Sequence, residues 1–404
     1  MNLLQLVAAF IRRRPLTWAF NVLTLSTGVA VVLALVLVNQ AVADRFTRDL
    51  AGVDLVIGAK GSPLQIVLSS VFQMDVPTGN IKLSQAQGFA RNGLVAQAVP
   101  VSLGDNVNEA RIIGTTPEYG SLYGATLAEG RWWTKPMEAV VGASAARRLH
   151  FGVGQVFIGA HGLSGSSDLH RNFPYVVVGV LKPTGAVIDR LVLTDLASVW
   201  QVHEHPDPND HDADAMAERQ PHEREVTALL VKYRSAMGAL MMPRLVRDTP
   251  DLQAAIPAVE VTRLFSLLGV GADVLQGVGA AILALAAIGF FIALFSAVSQ
   301  RRRDLALLRA LGARPSLLLA VVAVEGALMG LVGGLVGVLA GRGLAEMAAR
   351  ISMTQASGPT LAPPPVGPVD LLAVATALGL ALVASLGPAL IAGRTDPARE
   401  LAGG

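Results

Sequence analysis

Residues 301–331 read RRRDLALLRALGARPSLLLAVVAVEGALMGL, a basic amphipathic turn set between two long apolar runs, Leu275–Val298 and Leu317–Leu339. Each run is long enough to cross the hydrocarbon core of a bilayer, which takes about 20 helical residues. The charged segment between them must therefore leave the lipid. Arg301, Arg302, Arg303, Arg309 and Arg314 assign this short connection to the cytoplasm, because loops rich in Arg and Lys are retained inside. Leu305, Leu308 and Leu311 are spaced for one helical face, and Gly312–Pro315 supplies the stop. Such a helix lies along the membrane surface and offers its charge to a cytoplasmic partner.

Composition points the same way. A chain of 404 residues that is 52% hydrophobic and only 15% charged is too apolar for an ordinary soluble domain, and its mean hydropathy is +0.52. The formal net charge of +2 gives no reason to expect a nucleic-acid partner. The absence of cysteine excludes disulfides and thiolate metal sites.

Four spans are expected. The first is Leu16–Val42, held with its N-terminus inside by Arg12, Arg13 and Arg14. A secretory signal has the same ingredients, but this apolar run is longer than a usual signal core and ends in Asn39, Gln40 and Asp44 without a small-x-small cleavage pattern. Helical spacing in Asn2–Ile11 predicts a short interfacial helix ahead of it, so residues 1–43 form one segment. Residues 44–268 fall in hydropathy and read as a mixed α+β extracytoplasmic domain. Strands are expected at Val53–Ile57, Ala139–Val141, Gln155–Ile158, Tyr175–Val180, Leu191–Leu193 and Val226–Tyr233, and helices at Ser84–Arg91, Ser144–Leu149 and Met237–Arg247. The remainder divides into a second span at 269–299, the basic cytoplasmic helix at 300–315 and a third span at 316–350. An outer Pro- and Gly-rich loop at 351–368, a fourth span at 369–393 and a basic cytoplasmic tail at 394–404, with Arg394 and Arg399, complete it. The expected fold is thus an α-helical membrane protein with four transmembrane helices and a large α+β domain inserted between the first and second.

The segment RRRDLALLRALGARPS, followed by Glu325 and the Gly-rich LMGLVGGLVGVLAG, resembles the coupling-helix signature of the FtsX-like permeases, relatives of MacB and of LolC and LolE. GRWWTKPMEAVVGASAARRLHFGVGQVFIG, running on to FPYVVVGVLKPTGAVIDRLVLTDLASVW, is similar to the periplasmic pattern of that family. PALIAGRTDPARELAGG resembles its C-terminal ending. The resemblance implies a bacterial inner-membrane permease with both termini cytoplasmic and the large domain periplasmic. It also implies a docking role toward an ATPase for Arg302, Arg303, Leu305, Leu308, Arg309, Leu311 and Gly312; the plainer reading of these residues is a topology anchor. No G-x-x-x-x-G-K-[ST] loop occurs, so the ATPase, with its ATP and Mg, is expected on a separate chain. Two ATPase copies and a second permease copy or paralogue are expected partners, beside the lipid bilayer and a periplasmic protein.

Other residues carry two readings each. Glu325 is a carboxylate inside the third span, a functional candidate by default and, near an interface, a structural one, which is preferred because no intramembrane partner is evident. Gly330, Gly333, Gly334 and Gly337 repeat at one-turn spacing with Gly326 and Gly341, and allow close packing either within the chain or between two permeases. His203, His205, His211 and His222 lie among Asp and Glu in Val202–Glu225; they are suitable zinc ligands, yet the acidic, Pro-containing stretch reads better as a solvated loop. In Asp54–Gln65, Gly58, Gly61 and Pro63 are expected to form tight turns of a connector, and Trp132 and Trp133 to pack in the core or at an interface.

No catalytic constellation is present in the sequence, and the chain is read as a non-enzymatic permease subunit without a cofactor of its own. Two function classes stand. One is a permease that converts ATP hydrolysis by its partner into motion of the periplasmic domain, exporting or extracting an envelope substrate. The other is a signalling or scaffold protein of the same build, or a zinc-linked transport component.

Overall fold

The computed structural model describes residues 3–50, 52–161, 169–204, 223–354 and 363–393. The helices in chain order are α1 (Leu3–Arg13), α2 (Pro15–Asp49), α3 (Pro63–Ser70), α4 (Leu83–Ala90), α5 (Glu118–Leu122), α6 (Ala143–Leu149), α7 (Leu196–Glu204), α8 (Ala236–Arg247), α9 (Pro257–Gln300), α10 (Arg302–Ala310), α11 (Pro315–Thr354) and α12 (Pro368–Gly393). The strands are β1 (Leu55–Ala59), β2 (Ile81–Lys82), β3 (Val95–Val107), β4 (Ala110–Thr115), β5 (Leu127–Gly130), β6 (Glu138–Val141), β7 (Val156–His161), β8 (Leu169–Leu181), β9 (Val192–Asp195), β10 (Glu225–Val226), β11 (Ala228–Tyr233) and β12 (Leu252–Ala255). Contacts divide the chain into two units, one from Met1–Val42, Gly269–Ser352 and Leu361 onward, the other centred on Ala43–Leu268.

Four helices of the described residues are long and apolar enough to cross a membrane: Pro15–Asp49, Val274–Gln300, Pro315–Ser352 and Pro368–Gly393. Their centres agree with the expected spans, but two of the helices overrun the expected limits. The helix expected to end near Val42 runs to Asp49, and the one expected from 269 begins at Pro257. The reason is tertiary. Arg45 and Asp49 are buried in the second unit, the Phe46 ring meets those of Phe72 and Phe265 at 4.8 and 5.2 Å, and Val261 joins the same core. Hydropathy falls where the apolar run ends, whereas the helix continues for as long as one face is covered.

In the first unit, α1 packs Leu6, Val7 and Phe10 against Val321 of α11, with Leu308, Val324 and Leu328 at the margin. The expected interfacial helix thus lays its apolar face on its own bundle. Leu25 and Val29 of α2, Phe290 and Leu294 of α9, Val322 and Met329 of α11, and Ala377 and Ala381 of α12 form the main core.

The second unit holds a ten-stranded mixed sheet in the order β12-β1-β11-β3-β4-β9-β6-β8-β5, with β7 pairing β3 and β8. Strand β1 lies between two antiparallel neighbours, Val56 facing Leu230 on one side and Ala255 on the other. Burial of both faces explains its unbroken apolar run, LVIGA. Gly58 is therefore a strand residue, not the expected turn; an added Cβ would come within 3.2 Å of Ile66 on α3. Strand β3 was not legible, because Pro100 and Gly104 in VAQAVPVSLGDNV read as breakers. Pro100 is accommodated opposite Leu229, and the register slips between Leu103 and Asp105 as a bulge. Trp133 is buried in the largest core, and Trp132 packs edge-on against it at 5.5 Å.

Candidate functional site

The basic helix α10 is nine residues long and is bounded by two breaks in the helical backbone. At its start Arg301 leaves the helical line (φ −102°, ψ 9°) between α9 and α10. At its end Gly312 takes a left-handed φ of +95°, the Gly312 amide bonds Arg309 O and the Ala313 amide bonds Leu308 O, both at 3.0 Å. This is a Schellman closure, for which glycine is the residue of least strain. Asp304 sits in the first turn and Arg309 in the last, complementing the helix dipole at both ends.

The face expected from spacing divides. Leu305 is 2% exposed and belongs to the bundle core, with Leu308 packed beside it. Leu311 is 84% exposed; still bonded in helical fashion to Leu307 O, it lies six residues after Leu305 and so about 120° round the helix from it. Arg309 donates to Gly393 O at 2.9 Å and so satisfies a carbonyl left over at the C-terminal end of α12. Leu305, Leu308 and Arg309 thus hold the helix against its own bundle. Arg302, Arg303, Leu307, Leu311 and Gly312 face outward.

The expectation that Glu325 lacks a partner is also corrected. Its two oxygens accept from Arg301 Nη1 at 2.9 Å and Nη2 at 3.1 Å, with Glu325 1% and Arg301 8% exposed. The Arg301 guanidinium also lies 4.9 Å from the centre of the Phe10 ring on α1, and neighbouring Gln300 accepts a hydrogen bond from Arg14. Arg301, read from the sequence as one of the arginines that set the side of this loop, is therefore a buried ion-pair member, whereas Arg302 and Arg303 are exposed.

The glycines of α11 serve two faces. Added Cβ atoms at Gly326, Gly330 and Gly334 would meet Ser385, Ala381 and Ala377 of α12 at 2.8, 2.6 and 3.1 Å. At Gly333, Gly337 and Gly341 they would meet Leu25, Val29 and Ala30 of α2 at 3.3, 2.8 and 2.8 Å. Both stripes are occupied within the chain, and small residues at one-turn spacing permit the close approach. Farther along α11, Arg342 grips Asp370 of α12 at 2.7 and 2.6 Å and donates to Pro364 O and Pro365 O at 3.1 and 3.0 Å.

Sequence reasoning did not foresee a buried charge cluster in the second unit. Asp49 Oδ2 lies 3.0 Å from Arg45 Nε and 3.8 Å from Arg190 Nη2. Arg45 also donates to Gly185 O at 3.0 Å and Arg190 to Phe72 O at 3.2 Å. Burial, and then the charge of Arg45, lowers the Arg190 pKa to about 10, which leaves it charged at neutral pH. The i,i+4 spacing of Arg45 and Asp49 was the available signal for the first half of the cluster; nothing local pointed to Arg190.

His203 is in the last turn of α7, but its side chain, together with His205, His211 and His222, lies outside the described residues. Among the described residues no group of three metal-ligating side chains is present.

A family model of the MacB-like periplasmic core domain matches residues 18–239 and one of the FtsX-like permease C-terminal matches residues 277–397. The macrolide export ATP-binding/permease protein MacB of Hyphomonas neptunium is 34% identical over 157 residues, 39% of this chain and 22% of that protein. An uncharacterised ABC transporter permease of Methanocaldococcus jannaschii is 39% identical over 82 residues, 20% of this chain and 21% of that protein. The matches thus span about a fifth of the length of these relatives. Among solved structures, the periplasmic region of MacB from Actinobacillus actinomycetemcomitans aligns with 53% of this chain and 95% of its own at a TM-score of 0.35 and 13% identity. The extracellular domain of the noncanonic ABC-type transporter YknZ aligns with 50% and 98% at 0.31 and 13%. With the core-domain match beginning in α2 and the permease match enclosing α10, Glu325 and both glycine stripes, the chain belongs to the FtsX/MacB-type permease family.

Proposed function

We propose that this chain is the membrane subunit of an ABC system in which a separate ATPase docks on α10 and its ATP-driven closure moves the periplasmic domain, exporting or extracting an envelope substrate. The observation that carries the reading is the division of α10 into a held face and an offered face. Leu305, Leu308 and Arg309 fasten the helix to the bundle, while Arg302, Arg303, Leu307 and Leu311 are left outward, a basic and apolar surface suited to a protein groove. In this reading both termini and α10 are cytoplasmic, as the clustered arginines require. ATP and Mg bind the partner, and two docking helices, from two permease copies or a paralogous pair, serve an ATPase dimer.

The test is affinity purification of the full chain in mild detergent, identification of co-purifying chains and an ATP-turnover assay. The reading expects a stoichiometric ABC ATPase, lost when Arg302→Glu and Arg303→Glu are combined while the permease stays membrane-inserted. Recovery of a well-folded permease without any ATPase would favour the scaffold reading and remove the docking assignment.

A further inference from the structure

We propose that Arg301 is a positioning residue: with Glu325 it locks α10 to the spanning helix α11, so that displacement of α10 moves α11 with it instead of bending the chain at residue 301. The backbone supplies the need for such a lock. Helix α10 hangs between a non-helical Arg301 and a left-handed Gly312, and both breaks are places where a short helix can swing. The contacts supply the means. Arg301 presents two nitrogens to the two oxygens of Glu325, two turns and more into α11 from Pro315, and rests on the Phe10 ring of α1. One side chain therefore ties α1, the start of α10 and α11 together. At the other end of α10, Arg309 holds the C-terminal carbonyl of α12.

Charge burial of this kind is weak evidence for stability, because desolvation offsets most of the attraction; its best-attested use is to fix one register. A planar two-nitrogen fork fixes orientation as well as distance, which a lysine ammonium at the same place does not. The basic triplet consequently splits by role: Arg302 and Arg303 are turned outward, whereas Arg301 is turned inward and is spent on geometry.

This inference rests on the reading of α10 as the docking helix, yet the lock can be measured without the partner. The chain has no cysteine, so Ala310→Cys and Leu335→Cys introduce two surface spin-label sites, one on α10 and one on α11, without background. In the full chain in lipid nanodiscs the parent is expected to give one narrow inter-label distance. Arg301→Met combined with Glu325→Met, which leaves no unpaired charge, is expected to broaden it while the thermal midpoint stays near that of the parent. Arg301→Lys broadens it partially, and the reversed pair Arg301→Glu with Glu325→Arg narrows it again. With the co-purified ATPase present, the Met pair keeps binding but loses the ATP-dependent shift in distance. A Met pair with the parent's narrow distribution, or a lowered midpoint with unchanged width, overturns the lock and leaves a merely structural pair. A parent that captures no ATPase overturns the docking reading alone, since the distance widths still decide for or against the lock.

Discussion

Glu325 gives both oxygens to one guanidinium, at 2.9 and 3.1 Å from Arg301, whereas Asp49 shares a single oxygen between Arg45 at 3.0 Å and Arg190 at 3.8 Å. The first arrangement sits in the membrane unit and closes one fork between Arg301, at the break between α9 and α10, and Glu325 on α11. The second sits in the periplasmic unit, where the two arginines reach onward to Gly185 O and Phe72 O and gather α2, the turn before β9 and the end of α3. In apolar surroundings a buried charge needs an opposite charge or a hydrogen-bond partner within reach, and Arg301 offers Glu325 both. The periplasmic core, rich in loop carbonyls, can hold two arginines on one carboxylate. Glu325 therefore has a single partner on which everything depends, while Asp49 is one member of a distributed network.

Four experiments would break or sharpen this contrast. The largest effect is expected from Glu325→Ala, which strands Arg301 in the bundle; removing one partner of a buried pair costs about 3–5 kcal/mol. Thermal unfolding in nanodiscs should register this, with the Arg301→Met, Glu325→Met pair close to the parent. Equal losses in the single and double variants would contradict the stranded-charge account. Asp49→Ala should cost less, about 1.5–3 kcal/mol for lost charge-assisted hydrogen bonds, since Arg45 and Arg190 keep their carbonyl partners. A loss as large as that of Glu325→Ala would show that the periplasmic network is not distributed.

The glycine stripes give the next step down. Gly330→Ala forces a Cβ to 2.6 Å from that of Ala381 and should cost about 1–3 kcal/mol by overpacking. Gly343→Ala, more than three turns farther along α11 and open to solvent or lipid, should be neutral or stabilise by about 0.5–1 kcal/mol. Similar midpoints for the two would mean that α11 and α12 do not approach as closely as described.

The smallest effect concerns an exposed pair on the periplasmic sheet. Arg131 and the amides of Thr134 and Lys135 lower the Glu138 pKa from 4.5 to about 2. A lowered pKa favours the fold above the ordinary carboxylate range, and that contribution is lost as pH falls from 4.5 through 2. Glu138→Gln should flatten the acid limb of the stability curve in that window by removing the contribution present at neutral pH, a small loss there because the pair is solvated. A large change at pH 7 would show that the pair does more than a solvated salt bridge.

What was legible in the sequence follows from the range of the interactions. The four spans announce themselves through apolar runs, and strands such as β6, β7 and β9 through short β-branched segments between turns. The N- and C-terminal helical ends that enter the periplasmic unit were hidden, because Arg45, Asp49 and Phe265 are kept helical by a core assembled from distant segments. Strand β3 was hidden by Pro100 and Gly104, which a local reading counts as breakers and the sheet absorbs as a missing N–H donor and a bulge. At the candidate site, the basic helix and its Gly312 stop were legible. The split of its faces was not, because the groups that cover Leu305, Leu308 and Arg309 come from helices distant in sequence. The partner of Glu325 was not legible, because Arg301 lies in the basic turn between two spans and is brought beside the carboxylate only by tertiary packing.

The central claim, that α10 offers an outward docking face while its inward face is fixed to the bundle, is tested most directly by site-specific cross-linking from single cysteines in this cysteine-free chain. Leu311→Cys, carrying a short photoactivatable cross-linker in native membranes, is expected to capture an ABC ATPase, and Leu305→Cys is expected to yield only cross-links within the permease. Capture of an ATPase from Leu305→Cys and none from Leu311→Cys would contradict the account.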